Sequence, residues 1–218
     1  MKEALNGQQH HWEKMYSGEP EFFDEEPSYP AKKAVELFKK ESKRKILELG
    51  GGQGRDSLFF SRNGFQVCVL DYSERGIAAI RENAQRLGLS QSITAIWHDV
   101  RKPLPFDDEF FDGCYSHMLY NMALTMGELE SLSEEIRRVL KPNGVNIYTA
   151  RNTGDLHYRT GIQLGEDMYE VNEFVVHFLS RDKVEHLAKG YDVVSVDEFE
   201  EGELPRRLFQ VTLRKSVH

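Results

Sequence analysis

Residues 45–57 read Lys-Ile-Leu-Glu-Leu-Gly-Gly-Gly-Gln-Gly-Arg-Asp-Ser. Ile46, Leu47 and Leu49 form a short apolar run, which predicts a buried strand. The run stops in a glycine cluster, Gly50, Gly51, Gly52 and Gly54, and a helical stretch from Asp56 to Asn63 follows. In a strand, glycine turn and helix in that order, backbone N–H groups face a ligand laid across the turn. Glycine suits the turn because a side chain would block close approach, and because positive φ costs it little.

The spacing chooses among ligands. A dinucleotide fingerprint needs Gly-x-Gly-x-x-Gly, so that a pyrophosphate rests on the helix N-terminus. Here the register is Gly50-x-Gly52-x-Gly54, with Glu48 two positions before the first glycine. A carboxylate there suits a cationic ligand better than a pyrophosphate. A second apolar run, Phe65 to Leu70, leads to Asp71, placed to accept hydrogen bonds from a ribose diol.

This stretch resembles the glycine motif and the following acidic motif of class I S-adenosylmethionine (SAM) methyltransferases. Gly52-Gln53-Gly54-Arg55-Asp56, Arg62-Asn63-Gly64-Phe65 and Val69-Leu70-Asp71-Tyr72-Ser73 are most similar to the tellurite-resistance and thiopurine group of small-molecule methyltransferases. Gly202-Glu203-Leu204, Arg206-Arg207 and Phe209 resemble its C-terminal end more loosely. The resemblance implies SAM as cofactor and S-adenosylhomocysteine as product. It places the methionine part on Gly50, Gly51, Gly52 and Gly54 and the ribose on Asp71. It further places the adenine beside Tyr72, Asp99 and Val100, with Glu48, Ser116 and Tyr16 completing the cofactor site.

Outward from the loop, strands and helices alternate. Pro30 opens a helix through Ala34, Leu37 and Phe38 to Lys43-Arg44-Lys45. Ser73 reads as the N-cap of a helix repeating Ile77, Ile80, Ala84 and Leu87. Strands are expected at 93–97 and 110–116. A helix carries Leu129, Leu132, Ile136, Val139 and Leu140, stopped by Lys141-Pro142-Asn143-Gly144 before a strand at 145–149. Residues 150–179 show no regular period. Ser180 caps one more helix, and the runs 193–199 and 208–213 read as an antiparallel pair at the sheet edge. The fold expected is α/β, a doubly wound, mostly parallel seven-stranded sheet of the Rossmann-like methyltransferase type with an antiparallel C-terminal strand pair.

A single domain over residues 1–218 is expected, with 1–29 as N-terminal cap or lid, 30–150 as the SAM-binding core and 151–218 as a substrate-side insert with the last strands. Trp12 and Tyr16 would share a helical face in the cap; Phe22 and Phe23 add to its aromatic content. Hydrophobic residues make up 39% of the chain and no apolar run reaches membrane-spanning length, so neither a membrane partner nor a secretory route is expected. Cys68 and Cys114 lie in strand-like runs and read as reduced thiols of a cytoplasmic protein, monomer or homodimer. The net charge of −8 offers no basic stripe for a phosphate backbone, which argues against a nucleic-acid partner. No metal-ligand spacing is present, and Asp107-Asp108-Glu109 reads as a solvated turn.

Methyl transfer is an in-line displacement at an activated carbon, so the protein must align two reactants, exclude water and remove a proton when the nucleophile carries one. A small-molecule acceptor with sulfur, nitrogen, oxygen or another chalcogen as nucleophile is expected. His117, after the fourth strand, is the candidate base; His157 and His177 in the insert are weaker ones. The text Ser116-His117-Met118-Leu119-Tyr120-Asn121 lacks the (Asn/Asp)-Pro-Pro-(Tyr/Phe) of nucleic-acid amino methylation. A SAM-binding sensor or partner-dependent subunit without catalysis is the alternative reading. A nicotinamide oxidoreductase would want the third-glycine spacing that is absent.

Overall fold

The computed structural model describes residues 2–18, 26–171, 173–202 and 206–217; Phe22, Phe23, Glu203 and Leu204 of the expectations above lie outside them. Helix α1 (Lys2–Gly18) and α2 (Tyr29–Lys40) precede β1 (Lys45–Leu49), α3 (Arg55–Arg62), β2 (Gln66–Asp71), α4 (Glu74–Arg86), β3 (Ile93–Trp97) and β4 (Phe111–Ser116). Then come α5 (Met126–Val139), β5 (Leu140–Arg151), β6 (Ile162–Gly165), β7 (Met168–Val171), β8 (Phe174–His177), α6 (Arg181–Leu187), β9 (Tyr191–Glu201) and β10 (Arg206–Lys215).

Seven strands form one sheet in the order β3-β2-β1-β4-β5-β10-β9. β1 runs parallel to β2 and β4, β2 to β3, and β4 to β5; β10 is antiparallel to both β5 and β9. The order reverses between β1 and β4, which sets a crevice at the carboxyl ends of these two strands. Alternation along each strand builds two cores. Leu47, Leu49, Cys114, Tyr148 and Val211 pack with Leu129, Leu132 and Ile136 of α5 and Val184 and Leu187 of α6. Ile46, Val67, Val69, Tyr115 and Ile147 face α2, α3 and α4 through Phe38, Phe60 and Ile80.

Helix ends follow their caps. Ser28, Ser73 and Ser180 each accept from a backbone N–H three residues on, and Thr125 with Glu128 forms a reciprocal capping box on α5. Two expectations need correction. Helix α2 ends at Lys40, not at the basic cluster, because Ser42 turns left-handed at φ 56° and Lys45 already belongs to β1. Lys141-Pro142-Asn143-Gly144 is a bulged excursion within β5, since Phe111 pairs with Leu140 and Gly113 with Val145. Asn143, at φ 62°, makes the turn expected of it.

Residues 150–179 are more regular than their sequence: β6, β7 and β8 form a separate three-stranded antiparallel sheet. His177 anchors it to the core. Its Nδ1 lies 2.7 Å from the Leu124 carbonyl and its Nε2 accepts from Lys183 Nζ at 3.0 Å, and Lys183 pairs with Asp167 at 2.9 Å. A ring that accepts at Nε2 is neutral. Burial, with Lys183 adding to it, pushes the His177 pKa down from 6.5 to about 4. The unfolded ring protonates below about 6.5 and the folded ring resists until about 4, so this contribution is whole above 6.5 and is lost as pH falls between them. The unfolding free energy from urea titration should therefore drop over that window, by up to on the order of 3 kcal/mol, and His177→Gln should flatten that part of the profile. An equal pH slope in both proteins would remove His177 from the account.

Candidate functional site

The glycine loop leaves β1 at Gly50, φ 69°, and passes Gly52 at 55° and Gly54 at 92° before α3 begins. All three are left-handed positions that favour glycine. Two further glycines are fixed by packing. A Cβ on Gly51 would lie 2.3 Å from Val69 Cγ1, and a Cβ on Gly76 would lie 2.5 Å from the Gly52 carbonyl oxygen. Gly76, which the sequence reading passed over, thus lets the first turn of α4 support the loop from behind.

Asp71 ties loop to strand. Its Oδ2 accepts from Gly52 N–H at 2.8 Å and its Oδ1 from Ser73 N–H at 2.8 Å. The carboxylate is 4% exposed, deeper than the crevice-facing position expected at the end of β2. Burial is the largest influence and raises its pKa from 3.8 to about 6, although both amides pull the other way.

Glu48 lies on the α3 side of β1, 3% exposed, and accepts a hydrogen bond from the Ser57 hydroxyl. Burial, then the Asp56 charge, pushes its pKa up from 4.5 to about 8. The side chain expected as a carboxylate is therefore a neutral acid at pH 7 in the ligand-free chain.

Asp99 is held by Arg101, with Nη2–Oδ2 at 2.7 Å, Nε–Oδ1 at 3.0 Å and the Arg101 backbone N–H on Oδ1 at 3.0 Å. Val100 packs against the α5 side of the core. Tyr72 stands close enough to Asp71 and Asp99 for both charges to raise its phenol pKa, after burial. The Tyr72 carbonyl accepts from Trp97 Nε1 and from Gln9 Nε2 of α1, each at 2.8 Å. Tyr16 is also drawn in: burial and then the Asp71 charge raise its pKa well above 10.0. Helix α1 further accepts the Glu74 N–H on Glu13 at 2.6 Å and bonds the insert sheet through Gln8 to Glu173 O and Val175 N–H. It bridges the loop side of the crevice and the insert.

At the end of β4, Ser116 is wholly buried and its Oγ has no hydrogen-bond partner. An orphaned hydroxyl at the carboxyl end of β4, where the strand order reverses, fits a polar ligand seated there. His117 follows, clamped on both nitrogens: Nδ1 is 2.8 Å from Thr149 Oγ1 and Nε2 is 3.2 Å from Glu201 Oε2. Glu201 was not foreseen, because it stands at the end of β9, three strands from β4 in the sheet order. Two other histidines have structural partners: His157 accepts from Arg151 in a cluster with Asp155, and His177 is described above. Among the described residues, no group of three or more His, Cys, Asp or Glu could hold a metal, and no helix is long and apolar enough to cross a membrane. Cys68 and Cys114 are free thiols.

Residues 46–144 match the family model of a methyltransferase domain. A sterol 24-C-methyltransferase of Gibberella zeae is 28% identical over 162 residues, which are 69% of this chain and 40% of that protein. A probable SAM-dependent methyltransferase, TehB, of Haemophilus influenzae is 28% identical over 111 residues, 51% of this chain and 37% of its own length. A SAM-dependent methyltransferase structure from Methanosarcina mazei superposes with TM-score 0.73 at 19% identity, covering 88% of this chain and 100% of that one; at this identity it speaks for the fold. The chain spans about half the length of the curated relatives it matches. With the glycine loop, the reversal between β1 and β4 and the antiparallel β10, these matches show that residues 46–144 are similar to a methyltransferase domain and that the chain has the fold of SAM-dependent methyltransferases.

Proposed function

We propose that this chain transfers the methyl group of SAM to a small-molecule nucleophile in the cytoplasm and releases S-adenosylhomocysteine. The observation that carries the reading is the loop itself: left-handed Gly50, Gly52 and Gly54, with the Gly52 amide fixed on Asp71. In this proposal the glycine loop, the N-terminus of α3 and Ser116 hold the methionine part of SAM, Asp71 the ribose, and Asp99, Val100 and Tyr72 the adenine. Glu48 lies beneath the loop and tunes its charge. SAM supplies a methyl carbon activated by an adjacent sulfonium.

The chain's own residues position, dehydrate and handle the proton. Residues 1–29 serve as the cap, with Tyr16 and Gln9 over the nucleoside side; 30–150 bind the cofactor; 151–218 meet the acceptor. The opening of this crevice toward His117, Thr149 and Glu201 is where the acceptor's proton would go.

SAM and S-adenosylhomocysteine should each raise the melting temperature, because a ligand bound only by the folded state stabilises it by about 2.7 kcal/mol at a hundredfold excess over Kd. NAD should leave it unchanged. Equal stabilisation by NAD in the same thermal-shift assay would overturn the cofactor reading.

A further inference from the structure

Asn146 and Tyr148 lie on β5, opposite Cys114 and Ser116 of β4. Alternation with Tyr148 and Ala150 turns Asn146 to the face of the sheet that α5 covers. Both side chains are wholly buried, yet three of their polar atoms have no hydrogen-bond partner in the chain: Asn146 Oδ1, Asn146 Nδ2 and the Tyr148 hydroxyl. Their neighbours are polar as well. The Tyr120 ring stacks on Tyr148 with centroids 3.9 Å apart, and its hydroxyl lies 3.3 Å from Ser133 Oγ of α5. Asn146 is close enough to bear on the Tyr120 phenol without closing a hydrogen bond. The Tyr191 hydroxyl donates to the Ser133 carbonyl at 3.0 Å. An amide, three phenols and a serine therefore meet in a layer otherwise built from Leu129, Leu132 and Ile136.

We propose that this nucleus is a hydration site, in which ordered water bridges the Asn146 amide to the Tyr148 and Tyr120 hydroxyls. Polar groups in a core are nearly always paired, and three orphaned atoms on two neighbouring buried side chains point to a shared partner from outside the chain. Internal water typically makes about three hydrogen bonds, and the amide and phenols supply both the donors and the acceptors for them. Other occupants fit worse. Burial raises the pKa of all three phenols and of the Cys114 thiol, so the lining is neutral and an ion would lack a counter-charge. Side chains with no exposed surface leave no opening for an organic ligand. The site also reaches the glycine loop. Tyr120 belongs to the short turn Leu119–Asn121, and a Cβ on Gly50 would lie 3.3 Å from Leu119 Cδ1. Water in the nucleus thus helps seat the turn that backs the loop, whether or not the loop takes SAM.

A high-resolution crystal structure of the full chain should show water density within about 3.2 Å of an Asn146 amide atom. No such density, or direct bonds from both amide atoms to protein groups, would overturn the proposal. Oxygen-17 relaxation dispersion of the solvent gives a second readout: Asn146→Leu should lose slowly exchanging water that the wild type holds, and an unchanged profile would count against the site. Stability gives a third, through a variant that disturbs packing least. Tyr148→Phe keeps the ring and its stack on Tyr120 and removes only the hydroxyl. In a hydrated nucleus the water and the Asn146 amide lose a partner, and Tm should fall by about 2–4 °C. In a dry one the change deletes an orphaned group and should raise Tm. A Tm equal to or above that of the wild type would leave the nucleus dry and the proposal wrong.

Discussion

Gly52→Val is expected to raise the dissociation constant for SAM at least a hundredfold, a loss of about 2.7 kcal/mol, while the circular dichroism of the fold stays close to wild type. Gly52 holds φ 55° and puts its N–H on Asp71. A β-branched residue in that left-handed region costs about 1–2 kcal/mol, and its side chain would stand on a loop whose use is close backbone approach. The loop has no room to withdraw, because the Gly52 carbonyl rests against Gly76 on α4. Neighbouring glycines would give a different result. Valine at Gly51 or Gly54 would drive a Cβ into Val69 or Ile80 and damage the core itself, since those contacts would be 2.3 and 2.8 Å. Isothermal titration of Gly52→Val with SAM is the check. An affinity within threefold of wild type would reduce the loop to an ordinary turn.

The contrast among these glycines shows what a sequence can carry. Gly50-x-Gly52-x-Gly54 after an apolar run declares a left-handed loop, because few other residues tolerate it. Gly76 is silent, since one glycine in a helical stretch has no pattern to mark it; its reason is a carbonyl from another element. The parallel strands were legible for a related cause. Val67, Val69 and Leu70 are buried on both faces of a covered sheet and so form an apolar run. Strands β6, β7 and β8 were not, being four residues each, with Gln163, Glu170 and His177 among their members. The turn between β6 and β7 is made by Glu166 and Asp167 at φ 53° and 60°, residues that carry no strong turn signal together. Their pairing is tertiary, supplied by His177, Lys183 and α1.

The site divides in the same way. Glu48, Asp71 and Ser116 sit at strand ends, where position in the alternation predicts a place at the crevice. Their protonation is a property of depth: Glu48 and Asp71 are nearly inaccessible and hold their protons longer than exposed acids do. Arg101 on Asp99 and Glu201 on His117 could not be read. The first requires the turn after β3, and the second joins the end of β9 to the residue after β4, three strands apart in the sheet.

Asp71→Ala is expected to weaken SAM by ten- to a hundredfold and, unlike a purely surface acid, to lower the melting temperature as well. The two effects have separate origins. A charged acceptor for ribose hydroxyls contributes about 1.5–3 kcal/mol, which sets the affinity loss. The same carboxylate satisfies the Gly52 and Ser73 amides, and removing it leaves two buried donors unpaired at about 1–3 kcal/mol each before relaxation. Asp71→Asn should fall between, because its one oxygen can serve only one of the two strands of that bridge. The pH dependence separates ribose binding from loop repair. In the folded chain Asp71 titrates near 6, above its ordinary 3.8, because burial disfavours its charge. Its effect on stability is therefore complete below 3.8 and is lost as pH rises through 6. Cofactor binding runs the opposite way: if the ionised carboxylate receives the ribose, wild-type affinity should fall toward tenfold per unit as pH drops below 6. Asp71→Ala and Asp71→Asn should lose that slope, since neither side chain titrates. Glu48, near 8, predicts a further gain in wild-type affinity between pH 7 and 8.5, as a cationic ligand draws its proton off. Titrations with SAM at pH 5, 6, 7 and 8.5 in the three proteins decide it. A slope between pH 5 and 6 that survives in Asp71→Asn would move the ribose to another acceptor.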